Sequence, residues 1–191
     1  MAAYNESLTI GQGNTALRVC EGLRIARAEL GYGQTLVLQF GRLKREVRRL
    51  STGRKFTVFN GQLTCSTYSD WRAEKPHSIQ FGSGFSDHQI DKWLNSLIGT
   101  RINAVALIGR LPELRIELDD GRIISTFTDW SNQPQWSIGF NDTKLFNLRS
   151  LPPAADISPW MHVRGGRLHI EHCYDDANPV ARQFIRQLGH A

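Results

Sequence analysis

Two runs of this 191-residue chain alternate in character with a period of two: Leu36, Leu38 and Phe40 interleave with Val37 and Gln39, and Leu114, Ile116 and Leu118 interleave with Arg115, Glu117 and Asp119. That period belongs to strands, and the charged alternates of the second run predict a strand with one wet face. One stretch keeps a helical period instead. Ser86 and Gln89 fit the S-x-x-Q capping box, and Ile90, Trp93, Leu94 and Leu97 then fall at i, i+3, i+4 and i+7 on one stripe. Gly99 is a suitable stop.

Weaker patterns fill in the rest. Residues 1–13 are polar and aperiodic and read as a loose leader, and residues 15–28 as a helical turn followed by a first strand. Asn60-Gly61 between residues 56–59 and 63–68 predicts a hairpin, because Asn-Gly suits a type I′ turn. Asp120-Gly121 gives the same signal before residues 123–127, and residues 136–140 form another strand. A turn-rich stretch over residues 142–159, with Pro152, Pro153 and Pro159, leads to a hairpin over residues 160–173 across Gly165-Gly166. Asn178 and Pro179 then open a terminal helix with Ala181, Phe184, Ile185 and Leu188 on one face.

The pattern recurs within the chain. Residues 66–71 (STYSDW) and 125–130 (STFTDW) are near-identical at an offset of 59, and Pro76, Ser78, Ile79 and Phe81 find counterparts in Pro134, Ser137, Ile138 and Phe140. This predicts an internal duplication, with repeats over residues 22–82 and 99–140. A unit of that size buries too little surface to stand alone. The expected fold is α+β and mainly β, in a single domain over residues 1–191. Two tandem antiparallel β-repeats pack into one sheet or sandwich, with a helix between them and a C-terminal hairpin plus helix over residues 160–190.

Charge alters this picture in one place. The net charge is +5, yet residues 41–55 alone hold Arg42, Lys44, Arg45, Arg48, Arg49, Arg54 and Lys55 against the single acid Glu46. This basic insertion breaks the symmetry of the repeats, and an added loop on a rigid scaffold is a common place for function. Leu43, Val47 and Leu50 at i, i+4 and i+7 would let a short helix dock there and present the arginines, whose planar forks suit carboxylate or phosphate. The favoured partner is an acidic protein. Nucleic acid is the alternative, and a mobile tip without a partner, or pairing with acids in a homo-oligomer, completes the range.

Other candidates carry less. Asp70-Trp71 and Asp129-Trp130 are repeat-equivalent and would suit a cation or sugar, but an Asx turn and core packing of the indole explain them better. His169, Glu171 and Cys173 share a face of the last predicted strand while His172 points the other way, with His162 close by on the preceding strand, so ordinary alternation is expected and no metal. Cys20, Cys65 and Cys173 are odd in number and widely spaced, as buried free thiols are. No nucleophile elbow, carboxylate pair or phosphate loop is present, so neither catalytic residues nor a cofactor are expected. The longest apolar run, residues 104–108, falls far short of the roughly 20 residues of a membrane helix. The N-terminus has no basic leader or apolar segment, so a cytoplasmic location is expected.

Residues 97–138 carry a further pattern: Leu97-Ile98-Gly99, then Ile102 and Val105, then residues 114–123 (LRIELDDGRI), then Trp136, Ser137 and Ile138. This resembles small bacterial domains of unknown function with an L-x-G start, an alternating hairpin across Asp-Gly and a terminal tryptophan strand. They are similar to proteins found among toxin-immunity gene neighbourhoods. The resemblance implies a binder instead of a catalyst and assigns no functional residues. Immunity proteins that block nucleases usually offer acidic surfaces, so a basic insertion would require a toxin with an acidic face or a partner of another kind.

Overall fold

In the computed structural model the described residues are 3–50, 52–127, 135–142, 158–164 and 166–173. The first half comprises β1 (Ala3–Leu8), α1 (Ile10–Leu17), a 3-10 turn (Arg18–Cys20), β2 (Ile25–Leu30), β3 (Leu36–Phe40), β4 (Lys44–Arg49), β5 (Lys55–Asn60), β6 (Leu63–Thr67), β7 (Trp71–Lys75) and β8 (Ser78–Gly82). The second comprises α2 (Asp87–Leu97), β9 (Ile102–Ile108), β10 (Glu113–Leu118), β11 (Ile123–Thr126), β12 (Trp136–Phe140), β13 (Ser158–Arg164) and β14 (Arg167–Cys173). The fold is α+β and mainly β, and all pairings between these strands are antiparallel.

The strands make a seven-stranded sheet in the order β1-β14-β13-β12-β6-β3-β2, a five-stranded sheet in the order β8-β7-β11-β10-β9, and a two-stranded ribbon of β4 and β5. One apolar cluster joins the two large sheets and both helices. Leu36, Leu38, Phe40, Trp136 and Ile138 enter it from the first sheet, Trp71, Leu114, Ile116 and Ile124 from the second, and Leu17, Ile90, Leu94 and Leu97 from the helices. The alternation that marked these strands is thus the alternation of core and outer face. On the five-stranded sheet the outer face is wet, with ion pairs between Arg115 and Glu117 at 2.9 Å and between Arg72 and Glu74.

Strands change sheets reciprocally. β2-β3-β6 and β9-β10-β11 are each a local antiparallel run, and the strand after each run crosses to the other sheet: β7 pairs with β11 and β12 pairs with β6. Hydrogen bonds follow the same reciprocity. The Leu36 N–H donates to Thr67 Oγ1 at 3.1 Å and the Leu114 N–H to Thr126 Oγ1 at 2.9 Å. The Trp71 indole donates to the Gln34 carbonyl at 3.0 Å and the Trp136 indole to the Pro112 carbonyl at 2.8 Å. Around the Arg24–Arg101 bridge, the Gly22 N–H donates to the Ile102 carbonyl and the Gly99 N–H to the Ile25 carbonyl, both at 2.8 Å.

The helices follow suit. Gln12 Oε1 accepts the Thr9 N–H at 2.8 Å and Gln89 Oε1 the Ser86 N–H at 3.4 Å, so both helices open on a capping box. α1 packs on β9 and α2 on β2, each against the first strand of the other half's three-strand run. By geometry the counterpart of Trp71 is therefore Trp136, whereas the offset of 59 pairs it with Trp130, which lies outside the described residues.

Several expectations need correction. Residues 3–13 are not a loose leader: β1 adds to the edge of the large sheet beside β14, and the Thr9 box starts α1. Asn60-Gly61 does not turn a hairpin, because β5 pairs with β4 while β6 pairs with β3 and β12. Gly61 is required for another reason. A Cβ there would lie 2.5 Å from the Phe40 carbonyl oxygen, so only glycine lets the chain cross β3 so closely. Asp120-Gly121 does turn a hairpin, with Gly121 at φ +82° and the Leu118 N–H donating to the Arg122 carbonyl at 2.9 Å. The expected loop over residues 142–159 falls largely outside the described residues, and the terminal helix wholly outside them.

Candidate interaction surface

Residues 42–55 do not form the short helix that Leu43, Val47 and Leu50 suggested. Phe56, Thr57, Val58 and Phe59 are aromatic or β-branched and favour extended backbone. Their register against β4, with Arg45 opposite Phe59, Val47 opposite Thr57 and Arg49 opposite Lys55, decides the conformation of both strands. Gly53, at φ +82°, allows the tight turn, in which the Leu50 N–H donates to the Arg54 carbonyl at 2.9 Å. At the base the Arg42 N–H donates to Gln62 Oε1 at 3.1 Å.

Directly opposed residues of an antiparallel pair share a face, so the two faces of this ribbon can be compared. One carries Lys44, Glu46 and Arg48 against Asn60, Val58 and Phe56. Its acid is occupied: Glu46 Oε2 accepts from Asn60 Nδ2 at 2.8 Å and lies 3.4 Å from an Arg48 nitrogen. The other carries Arg45, Val47 and Arg49 against Phe59, Thr57 and Lys55, all exposed and with no acid among them. Val47 is 60% exposed and Phe59 42%, well outside the range of core side chains. Arg42, Lys44, Arg54 and Leu50 are exposed around this element.

The structure therefore brings the predicted basic residues onto one projecting element and adds exposed apolar groups between them. Sequence reading missed Val47 and Phe59 because it spent the first on a docking helix and the second on a core hairpin. Residues 44–49 (KREVRR) carry no alternation that marks them; the available signal is the aromatic and β-branched run of residues 56–59, which favours a strand and not a helix.

The remaining candidates are placed differently. Asp70 Oδ1 accepts from Ser83 Oγ at 2.7 Å, and the Trp71 ring is 1% exposed and stacks on Trp93 at 5.7 Å. A buried indole offers no platform to a ligand, whereas Asp70 is exposed; Asp129 and Trp130 lie outside the described residues. Cys20 and Cys65 are buried free thiols, and burial pushes the Cys65 thiol up to about 12 and raises that of Cys20 as well. His162 stands opposite His169 with ring centroids 5.8 Å apart. Among the described residues no three His, Cys, Asp or Glu side chains are grouped as metal ligands, and no helix is long and apolar enough to cross a membrane. No protein-family model, curated protein or solved structure matches the chain.

Proposed function

We propose that this chain is a non-enzymatic, cytoplasmic binding protein that engages an acidic protein partner through the face of the β4–β5 ribbon formed by Arg45, Val47, Arg49, Lys55, Thr57 and Phe59. The observation that carries this reading is the exposed Val47 and Phe59 among three unopposed cations. An apolar centre with a charged margin, arginine included, is the composition of a protein interface. A surface that only tracks phosphates needs the cations and not the aliphatic group. The cations would select and steer an acidic partner, while the apolar pair would give the complex its lifetime.

The test uses labelled Asp/Glu-rich peptides, with and without Leu and Phe, alongside labelled duplex DNA and single-stranded RNA, in anisotropy titrations at low salt and at about 0.15 M. Peptides containing the apolar residues should bind at the higher salt, and changing both Val47 and Phe59 to Ser should weaken them by about tenfold or more. Nucleic-acid binding that survives at the higher salt, needs Arg45 and Arg49 and ignores Val47 and Phe59 would replace this reading with the phosphate-binding one. Absence of binding to every probe would sink both.

A further inference from the structure

The ribbon has two edges, and its main chain shows what each offers. The Leu50 N–H donates to the Arg54 carbonyl at 2.9 Å, and the register from there to Lys44 opposite Asn60 is unbroken. Hydrogen-bonded and non-hydrogen-bonded pairs alternate along an antiparallel ladder. Arg48–Phe56 and Glu46–Val58 therefore bond across the ribbon, while Arg49–Lys55, Val47–Thr57 and Arg45–Phe59 turn their N–H and carbonyl groups outward. On β5 these outward groups belong to Lys55, Thr57 and Phe59, whose side chains also lie on the basic and apolar face. Among the described residues no third strand takes them up. β4 guards its own edge with Arg45 and Arg49, and charge of that kind keeps an edge from pairing. β5 presents a single cation, Lys55, and then the strand-forming run of residues 56–59.

We infer that the β5 edge receives an extended acidic segment of the partner protein as a third, antiparallel strand, an inference that rests on the ribbon being the contact surface. Main-chain bonds to Lys55, Thr57 and Phe59 supply affinity, and alternate side chains of the added strand supply selectivity. A residue directly opposite one of these three places its side chain on the same face. The residue opposite Lys55 is then an acid, and those opposite Thr57 and Phe59 are apolar, continuing the exposed patch of Val47 and Phe59. Because the strands run in opposite directions, the segment reads apolar, apolar, acid at every second position from its N-terminus. A second copy of this chain is the poorer occupant. Pairing β5 with itself would bring two such basic faces onto one sheet with no acid on either, and like charges that close oppose pairing.

Labelled peptides that repeat Val-Ser-Val-Ser-Asp-Ser test the added strand with the full chain. One form is N-methylated at the Val and Asp amides, another at the Ser amides, so the side chains agree and only the donors aimed at β5 differ. In anisotropy titrations at about 0.15 M salt, methylation at Ser should leave the affinity of the unmodified peptide within about threefold, and methylation at Val and Asp should lower it by about tenfold or more. Thr57→Pro removes an outward N–H without touching a bond across the ribbon and should lower it similarly, whereas Thr57→Val should not. Amide exchange of the native protein needs no substitution: bound peptide should slow Lys55, Thr57 and Phe59. If the peptide binds and needs Val47 and Phe59, yet both methylated forms bind alike or those amides exchange as before, the surface stands and the added strand is overturned. If no form binds, or Val47 and Phe59 make no difference, the surface reading falls and the inference with it. A dimer of the native protein that Thr57→Pro abolishes would give the edge to a second copy and overturn the inference as well.

Discussion

The two halves of the molecule share a framework and differ in what they hang on it. Between β10 and β11 the chain reverses over Asp119, Asp120 and Gly121, and Arg122 begins the return. At the same place between β3 and β6 it runs out as the β4–β5 ribbon and comes back at Leu63. The second half shows that the framework closes without a ribbon. What the ribbon adds is therefore available for recognition. The residues that the halves hold in common, by contrast, are those that hold the sheets together.

The tryptophans give the sharpest test of that division. Trp71 and Trp136 are both at most 1% exposed, and each ties its strand to the carbonyl that precedes β3 or β10. Replacing either by Ala should cost about 3–5 kcal/mol in urea unfolding, as for other large-to-small core changes. The two losses should agree within about 1 kcal/mol if the halves are mechanically equivalent. A cost near zero for one and several kcal/mol for the other would break the comparison.

A smaller effect separates the halves. Arg122, 6% exposed, donates to Asp120 Oδ2, to Ser96 Oγ and to the Ser96 carbonyl at 2.7, 2.7 and 2.8 Å, fastening the end of α2. The first half has the buried Leu63 at the corresponding start of β6. Burial tends to raise the Asp120 carboxyl, but hydrogen bonds and charge from Arg122, with Lys75 helping, hold it below the ordinary carboxylate range. A lowered pKa contributes stability that is present above about 3.9 and lost as pH falls through the folded value. Asp120→Asn should therefore cost about 1–2 kcal/mol at neutral pH, less than a buried pair would because solvent screens the half-exposed carboxylate, with the gap to the native protein closing below about pH 4. A gap independent of pH would mean that the ion pair is not its source.

How much of this was legible follows from what a local pattern can specify. The α2 stripe and box were readable because Ile90, Trp93, Leu94 and Leu97 all stand on one face. α1 carries the same box at Thr9 and Gln12, yet Gly11 and Gly13 erase its stripe. Gly13 is where the helix presses closest, since a Cβ there would lie 2.5 Å from Leu168 Cδ2 and 2.7 Å from Leu107 Cδ1. Strands were recognisable by alternation, but alternation names no partner, so the exchange of β7 and β12 between sheets was invisible. So was the match of Trp71 with Trp136, because the sequence repeat points to Trp130. The thiols fit the same view: Cys20 and Cys65 are buried as small apolar groups, as Leu97 and Ile124 are in the second half. At the candidate surface the charges were readable from composition, whereas their faces depend on a cross-strand register that only the folded ribbon defines.

The smallest change in stability should come from the largest change in sequence. Joining Phe40 to Leu63 through Asp-Asp-Gly, the turn that joins Leu118 to Arg122, removes the whole ribbon while keeping the strand register on both sides. The shorter connection lowers the entropy cost of closure by about 1–2 kcal/mol. Against that stand bonds from the Asp142 N–H to the Gln62 carbonyl and from Asn141 Nδ2 to the Gly61 carbonyl, both at 3.0 Å, which the excision removes. The two contributions are of similar size, so the excised protein should unfold within about 2 kcal/mol of the native one while losing peptide binding altogether. Collapse of the fold would show that the ribbon's base is part of the framework. Retained binding on an intact fold would move the contact surface elsewhere, and the difference between the halves would then have a cause other than recognition.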